Sequence, residues 1–154
     1  MKSVILTVKG EPKGQPRARA FAMPTKGGKP MIRMYDPATA EGWKSAIADA
    51  WRASGSPRFE GNIAVSMFLY FKRPKAHFRT GKNILQLRDE TLKWHTKKPD
   101  ADNVAKAALD ALTTLGAWHD DSQVCQLVIE KFWAREEPFS VITISNSDLS
   151  YYVI

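Results

Sequence analysis

Val104, Ala108, Ala111, Leu112 and Leu115 fall at i, i+4, i+7, i+8 and i+11, and Gly116 follows them. This spacing predicts an amphipathic helix from about Asp102 to Leu115, stopped by the glycine, with one stripe that must be buried. Acids bracket it. Lys98-Pro99-Asp100-Ala101-Asp102-Asn103 leads in, and His119-Asp120-Asp121-Ser122 lies just past the end. Four carboxylates around one helix constrain the chemistry as well as the fold.

The rest of the chain supplies partners for that stripe. Val4 to Val8 alternates and is β-rich, so it reads as a first strand. Gly10 to Arg19 carries too much Pro and Gly for helix or strand and reads as a basic loop. Gly27-Gly28-Lys29 is a turn, and Pro30 to Tyr35 a second strand; the two strands are expected to form a hairpin joined by the basic loop. Asp36-Pro37 begins a helix, with Asp as N-cap and Pro at the first helical position. Trp43, Ile47, Ala50 and Trp51 recur at helical spacing until Gly55. Ile63 to Phe71 is a strand, expected to be central. Residues 72–98 lack periodicity, and so long an excursion is more often functional than idle. Val124 to Trp133 and Phe139 to Ile144 are the last strands, and the Tyr151-Tyr152-Val153-Ile154 tail is read as an edge strand or a contact with a second subunit. The expected fold is α+β, a single domain over 1–154 with one mixed β-sheet and two main helices, in the order β-β-α-β-α-β-β.

At 154 residues with 44% hydrophobic residues, the chain is long enough to bury a core and is not a disordered sequence. No stretch approaches the roughly 20 apolar residues that span a bilayer. The start is too short and too alternating for a signal peptide. A single cysteine, Cys125, excludes an internal disulfide and a Cys-rich zinc site. The expectation is a soluble, cytoplasmic protein.

The formal net charge is +7, unevenly distributed. Residues 1–35 hold eight Lys/Arg against one acid, and 71–106 are also strongly basic, whereas 107–154 are net acidic. Such a balance speaks for a polyanionic partner. Arg17, Arg19, Lys26, Lys29 and Arg33, with Lys72, Arg73, Lys75, Arg79, Lys97 and Lys98, are the candidate contacts to nucleic-acid phosphates.

A carboxylate cluster within a basic chain points to a divalent metal, because magnesium takes hard oxygen ligands from a few carboxylates plus substrate phosphates. Asp100 and Asp102 can converge at the helix entry. The helix then carries the chain away for about 20 Å, so Asp120 and Asp121 depend on the fold for their return; the strand from Val124 would supply it by lying beside the strand that feeds Asp100. Each feature has a structural alternative. Acids near a helix N-terminus cap it for about 0.3–1 kcal/mol, Asp120-Asp121 suits a plain turn, and Lys106 suits an i,i+4 salt bridge with Asp102 worth a few tenths of a kcal/mol. The functional reading of Lys106 is charge neutralisation at a scissile phosphate or orientation of the attacking water. Asp110 is read as a structural partner of Lys106, or as a support behind the metal ligands, more readily than as a ligand itself.

The run from Lys97 through Asp100, Asp102, Asn103 and Lys106, then Leu109-Asp110-Ala111-Leu112, Gly116 and Asp120-Asp121-Ser122-Gln123-Val124, closely resembles the RusA family of Holliday junction resolvases, mostly encoded by bacteriophages and prophages. About 30 residues match in register. Gly14-Gln15-Pro16-Arg17-Ala18-Arg19, Tyr35-Asp36-Pro37 and Arg73-Pro74-Lys75 extend the resemblance over most of the chain. Ala101 departs from it, where the family often has a larger aliphatic.

The resemblance implies a homodimeric, magnesium-dependent endonuclease that resolves four-way junctions with paired symmetric nicks, with manganese expected to substitute. By motif, Asp100, Asp102 and Asp121 match the catalytic, metal-binding acids, Lys106 the essential lysine, and Asp120 an adjacent acid. Two alternatives stay open: a magnesium-dependent nuclease for flaps or other branched DNA, and a non-catalytic basic DNA-binding module. No membrane partner and no small-molecule cofactor are expected. The histidines (His77, His95, His119) are scattered without metal-ligand spacing, Cys125 and the tryptophans are assigned to packing, Trp118 is read as placing the Asp120-Asp121 loop, and Phe21 or Phe78 is considered as a wedge at the junction centre.

Overall fold

Every second residue of Ile63–Phe71 is apolar and large enough to fill a core, and this strand organises the molecule. The computed structural model describes residues 2–16, 19–23, 27–29, 31–35 and 39–146. Its strands and helices are β1 (Ser3–Lys9), β2 (Arg19–Met23), β3 (Met31–Tyr35), α1 (Glu41–Ala53), β4 (Ile63–Phe71), α2 (Ala101–Thr114), β5 (Val124–Trp133) and β6 (Phe139–Asn146). β4 is central, as the sequence indicated: the main sheet runs β1-β6-β4-β5. β1 is antiparallel to β6, β6 antiparallel to β4, and β4 parallel to β5. The sheet is therefore mixed.

Ile63, Val65, Met67, Leu69 and Phe71 point to one face and are all buried. Both helices cover that face. α1 contributes Trp43, Ile47 and Trp51, and α2 contributes Val104, Ala105, Ala107, Ala108, Ala111 and Leu112. The small residues of α2 allow its backbone to approach the sheet closely. The opposite face carries Ala64, Ser66, Phe68 and Tyr70, all half-buried.

The amino-terminal third departs from expectation. β1 does not pair with the strand at 31–35; it adds to the far edge of the main sheet through β6, with Leu6 opposite Ile142. β3 instead pairs with β2, from Arg19 opposite Tyr35 to Met23 opposite Met31. Only Arg19 of β2 falls within the Gly10–Arg19 loop expected from its Pro and Gly; the strand's residues, Arg-Ala-Phe-Ala-Met, contain neither. α1 starts at Glu41 with Ala40 before it, later than the Asp36 cap expected; residues 36–38 lie outside the described residues. The tail 151–154 and residues Arg17 and Lys26 also lie outside them. No helix among the described residues is long and apolar enough to cross a membrane.

Candidate active site

α2 begins one residue after Asp100, whose backbone is extended (φ −69°, ψ 148°) and whose carbonyl accepts from the Val104 amide at 3.2 Å. Asp100 thus occupies the N-cap position, but its side chain makes no capping hydrogen bond. Asp102 and Lys106 are exposed one turn apart, and no ion pair joins them, unlike Lys13–Glu11 and Arg52–Asp49. The Asp100 capping hydrogen bond and the i,i+4 bridge from Asp102 to Lys106 are both unmade, while Asp102 keeps its place in the first turn of α2, where a carboxylate favours the helix. Asp110 does not pair with Lys106 either.

The Gly14-Gln15-Pro16 loop docks on this helix entry. The Gln15 amide donates to the Asn103 carbonyl at 2.9 Å. A Cβ on Gly14 would lie 3.1 Å from the Pro99 Cβ and 3.3 Å from the Asn103 Cβ, so the glycine is favoured by close approach and not by its backbone angles. The Gln15 Oε1 is buried there without a hydrogen-bond partner. The amino-terminal basic segment is thereby tethered beside Asp100 and Asp102.

Past the other end of α2, Ala117 and Trp118 are buried, and the Trp118 indole donates to the Thr113 hydroxyl at 2.7 Å. The Phe59 amide donates to the Ala117 carbonyl at 2.7 Å. Gln123 ties the turn together: its Oε1 accepts from the His119 and Asp120 amides at 2.9 and 3.2 Å, and its Nε2 donates to the Gly61 carbonyl at 3.3 Å. Asp120 accepts from the Ser122 amide at 2.8 Å, and hydrogen bonding by the Ser122 hydroxyl first and this amide second holds its carboxyl below the usual range. Asp120 is therefore occupied as a cap of the short 3-10 turn Asp121–Gln123, while Asp121 projects, exposed, from a fixed backbone.

One chain does not bring these two ends together. β5 does lie beside the segment that feeds Asp100: Trp94 pairs antiparallel with Phe132, and the His95 amide donates to the Lys131 carbonyl at 2.9 Å. That segment meets the far end of β5, however, and Asp121 precedes its start. The cause is the parallel β4-α2-β5 crossover. The helix returns against the strand direction, so its two ends sit at opposite ends of the strands, separated by the roughly 21 Å length of a 14-residue helix. Among the described residues no three acids, histidines or cysteines form a group that could hold a metal ion. Asp100 and Asp102, exposed and unpaired, fit magnesium as a partial set of hard oxygen donors, since that ion is commonly held by one or two carboxylates and completed by substrate phosphates.

Lys131, which sequence reasoning passed over, lies at the Asp100 end. It projects from the helix-facing side of β5, in register with Leu69, and its Nζ donates to the Lys97 carbonyl at 2.8 Å and the Pro99 carbonyl at 2.6 Å. Burial lowers its ammonium pKa, and the nearby Asp100 charge opposes that shift. The only hint in the sequence is a charge breaking the apolar period of a strand at Ile129, Lys131 and Trp133.

Of the remaining candidate phosphate contacts, Lys72, Lys75, Arg79, Lys97 and Lys98 are exposed. Arg73 is half-buried, and its Nε donates to the Ala134 carbonyl at 3.0 Å, pinning the 72–99 excursion to the end of β5. Arg19 and Arg33 sit in β2 and β3, and Lys29 lies in the turn between them. His77 and His95 are not scattered in space, because both rings meet Trp133 edge-on, with centroids 4.8 and 4.3 Å away, and His95 also stacks on Phe71. Burial lowers both imidazole pKa values. Cys125 is exposed, not core, because β5 is an edge strand. Trp94 is half exposed (56%) and stacked on Phe132.

The endodeoxyribonuclease RusA family model matches residues 9–145. Among curated proteins, the chain is 32% identical over 143 residues to an uncharacterized protein, YqaN, of Bacillus subtilis strain 168, an alignment covering 92% of this chain and 96% of that one. The family match spans the docked Gly14-Gln15 loop, both ends of α2 and all of β4 and β5, with β6 up to Ser145 and only Lys9 of β1. This chain belongs to the RusA endodeoxyribonuclease family.

Proposed function

We propose that the protein is a homodimeric, magnesium-dependent endonuclease that resolves four-way DNA junctions by paired symmetric nicks. The observation that carries this reading is the helix entry of an endodeoxyribonuclease-family chain with two exposed carboxylates and a lysine, Asp100, Asp102 and Lys106, among which no capping hydrogen bond or ion pair is made. Magnesium bound there would polarise the scissile phosphate and activate a water. Asp100 and Asp102 supply its oxygen donors, and Lys106 places positive charge one helical turn away, where it offsets charge building on the phosphate. The exposed lysines and arginines of the 72–99 excursion and the tethered amino-terminal loop track the backbone of the junction arms. Selection of the junction then rests on DNA shape and on the spacing between two sites.

Asp121 enters from a second subunit. β5 is the edge strand, and from Val124 to Glu130 its outer side has no partner strand among the described residues, with Leu127 and Val128 about 40% exposed. A seven-residue apolar edge with one charge is poorly guarded against pairing. A two-fold axis beside Leu127 would set Val124 opposite the partner's Glu130 in an antiparallel ladder. The partner's Asp121 would then approach the Lys131 end of β5, where Asp100 and Asp102 stand. Each site would draw Asp100, Asp102 and Lys106 from one subunit and Asp121 from the other.

The test is cleavage of an immobile four-way junction beside a linear duplex of the same sequence, in magnesium, in manganese and in EDTA. Metal-dependent paired nicks on the junction alone are expected, with Asp102→Asn inactive but still binding. Preferred cutting of flaps or forks would shift the substrate class. Junction binding without cleavage in any divalent metal, or wild-type cleavage by Asp102→Asn, would overturn the reading.

A further inference from the structure

We infer that Lys131 is a positioning residue of this site: through its hydrogen bonds to the Lys97 and Pro99 carbonyls it sets the place of the Asp100 carboxylate. The inference rests on the nuclease reading. The helix-facing side of β4 is apolar throughout, with Ile63, Val65, Met67, Leu69 and Phe71 all buried, and Lys131 is the one charged residue in register with these five positions. A lysine in that layer gives up solvation and needs a compensating role. Lys131 has three ties, all to one short segment. Its carbonyl accepts from the His95 amide at 2.9 Å, and its Nζ donates to the Lys97 and Pro99 carbonyls at 2.8 and 2.6 Å. The Nζ also sits 5.8 Å from the centre of the Phe71 ring, which limits its choice of rotamer.

The two accepting carbonyls precede Asp100 by three residues and by one. They belong to a segment that is neither strand nor helix, and no other side chain bonds to them among the described residues. Without Lys131 the chain from Lys97 to Asp100 would be held by the His95–Lys131 backbone pair behind it and by the Gly14 loop and α2 ahead. An ammonium has three donors, and two are used here. The third remains beside the Asp100 charge. Lys131 therefore approaches the acids from the sheet, whereas Lys106 approaches from the helix, and it acts through Asp100 and not on the substrate.

The test compares wild-type, Lys131→Met and Lys131→Arg proteins. Cleavage of the junction is measured as kcat and KM, junction affinity in EDTA, thermal unfolding for the whole fold, and amide hydrogen exchange over residues 97–104. For Lys131→Met we expect kcat to fall at least tenfold, affinity in EDTA to stay within twofold, and exchange to quicken at 97–104 while the strands keep their protection. Lys131→Arg, which retains a donor to the carbonyls, should recover part of the kcat. Unchanged kcat in Lys131→Met, or exchange that quickens everywhere together with a lower melting temperature that Arg restores in step with cleavage, would overturn the inference. If the wild-type protein does not cleave, the nuclease reading fails, and unchanged exchange at 97–104 would separately sink the positioning of Asp100.

Discussion

A site shared between subunits makes a prediction that no single-chain site can match: two dead variants should rescue one another. Asp102→Asn and Asp121→Asn are each expected to abolish cleavage, since each removes an acid from both sites of its homodimer. Co-expressed with different tags and purified over both, they yield a heterodimer. In it, one site combines the two changes, because it takes Asp102 from one subunit and Asp121 from the other. The second site takes neither change and is intact. The geometry requires this outcome if the acids act together, for α2 holds Asp102 and Asp121 of one chain apart by about 21 Å, several times the roughly 4 Å that separates paired metals. The heterodimer should therefore nick at about half the wild-type rate per dimer, with one of the two symmetric sites working. A supercoiled plasmid extruding a cruciform reads this directly. Wild-type protein linearises it by paired nicks, and the heterodimer should leave nicked circles. A heterodimer as inactive as its parents would show that each chain builds its site alone and would refute the argument from the crossover.

Four further outcomes follow from particular residues. Gly14→Ala pushes a methyl against Pro99 and Asn103; overpacking of this kind costs about 1–3 kcal/mol, and it should appear as lost junction cleavage with a small fall in melting temperature. Arg17→Ala with Arg19→Ala should weaken junction binding and make the slope of log affinity against log salt shallower by about 1–2 if both contact phosphates; an unchanged slope would take the loop off the DNA. His95, buried against Phe71 and Trp133, has a lowered pKa and is held neutral in the fold, so its contribution is present above the unfolded value of about 6.5 and is lost as pH falls below it; melting temperature should drop from pH 7.5 to 5.5, and less so in His95→Phe. Leu112→Ala, at a fully buried position of α2, should cost about 2–5 kcal/mol in chemical denaturation, with cleavage kept at temperatures where the variant stays folded.

What could be read in the sequence followed from period and punctuation. The α2 stripe, its Gly116 stop and the alternation of β4 are local signals, and all reappear in the fold. Strand pairing is not local. β1 and β3 are separated by a loop of hairpin-like position, but β1 finds its partner at the other end of the chain, in β6. The burial of Arg73 and the exposure of Cys125 likewise depend on which strand ends up at the edge. Lys131 shows the same limit from the functional side: a lone charge in an apolar strand marks an exception, and only the meeting of β5 with the 93–99 segment shows what it touches.

The acid motif illustrates a more general point about spacing. Four aspartates around one helix look like a cluster on paper, because a helix of 14 residues is short in sequence. In space it is a rod, and a rod keeps its ends apart. A hairpin or an antiparallel return could have folded the motif back on itself, but a parallel crossover cannot, since it runs the helix against both strands. The motif is therefore coherent as a single site only if something outside the chain closes the gap. The edge of β5 from Val124 to Glu130, without a partner strand among the described residues, runs along most of that gap from the Asp121 end toward Lys131, and a second copy laid antiparallel along it would exchange the two ends. On this argument the edge strand and the acids form one device, and a charge placed on the edge, as in Leu127→Lys, should abolish dimerisation and cleavage together without touching any acid.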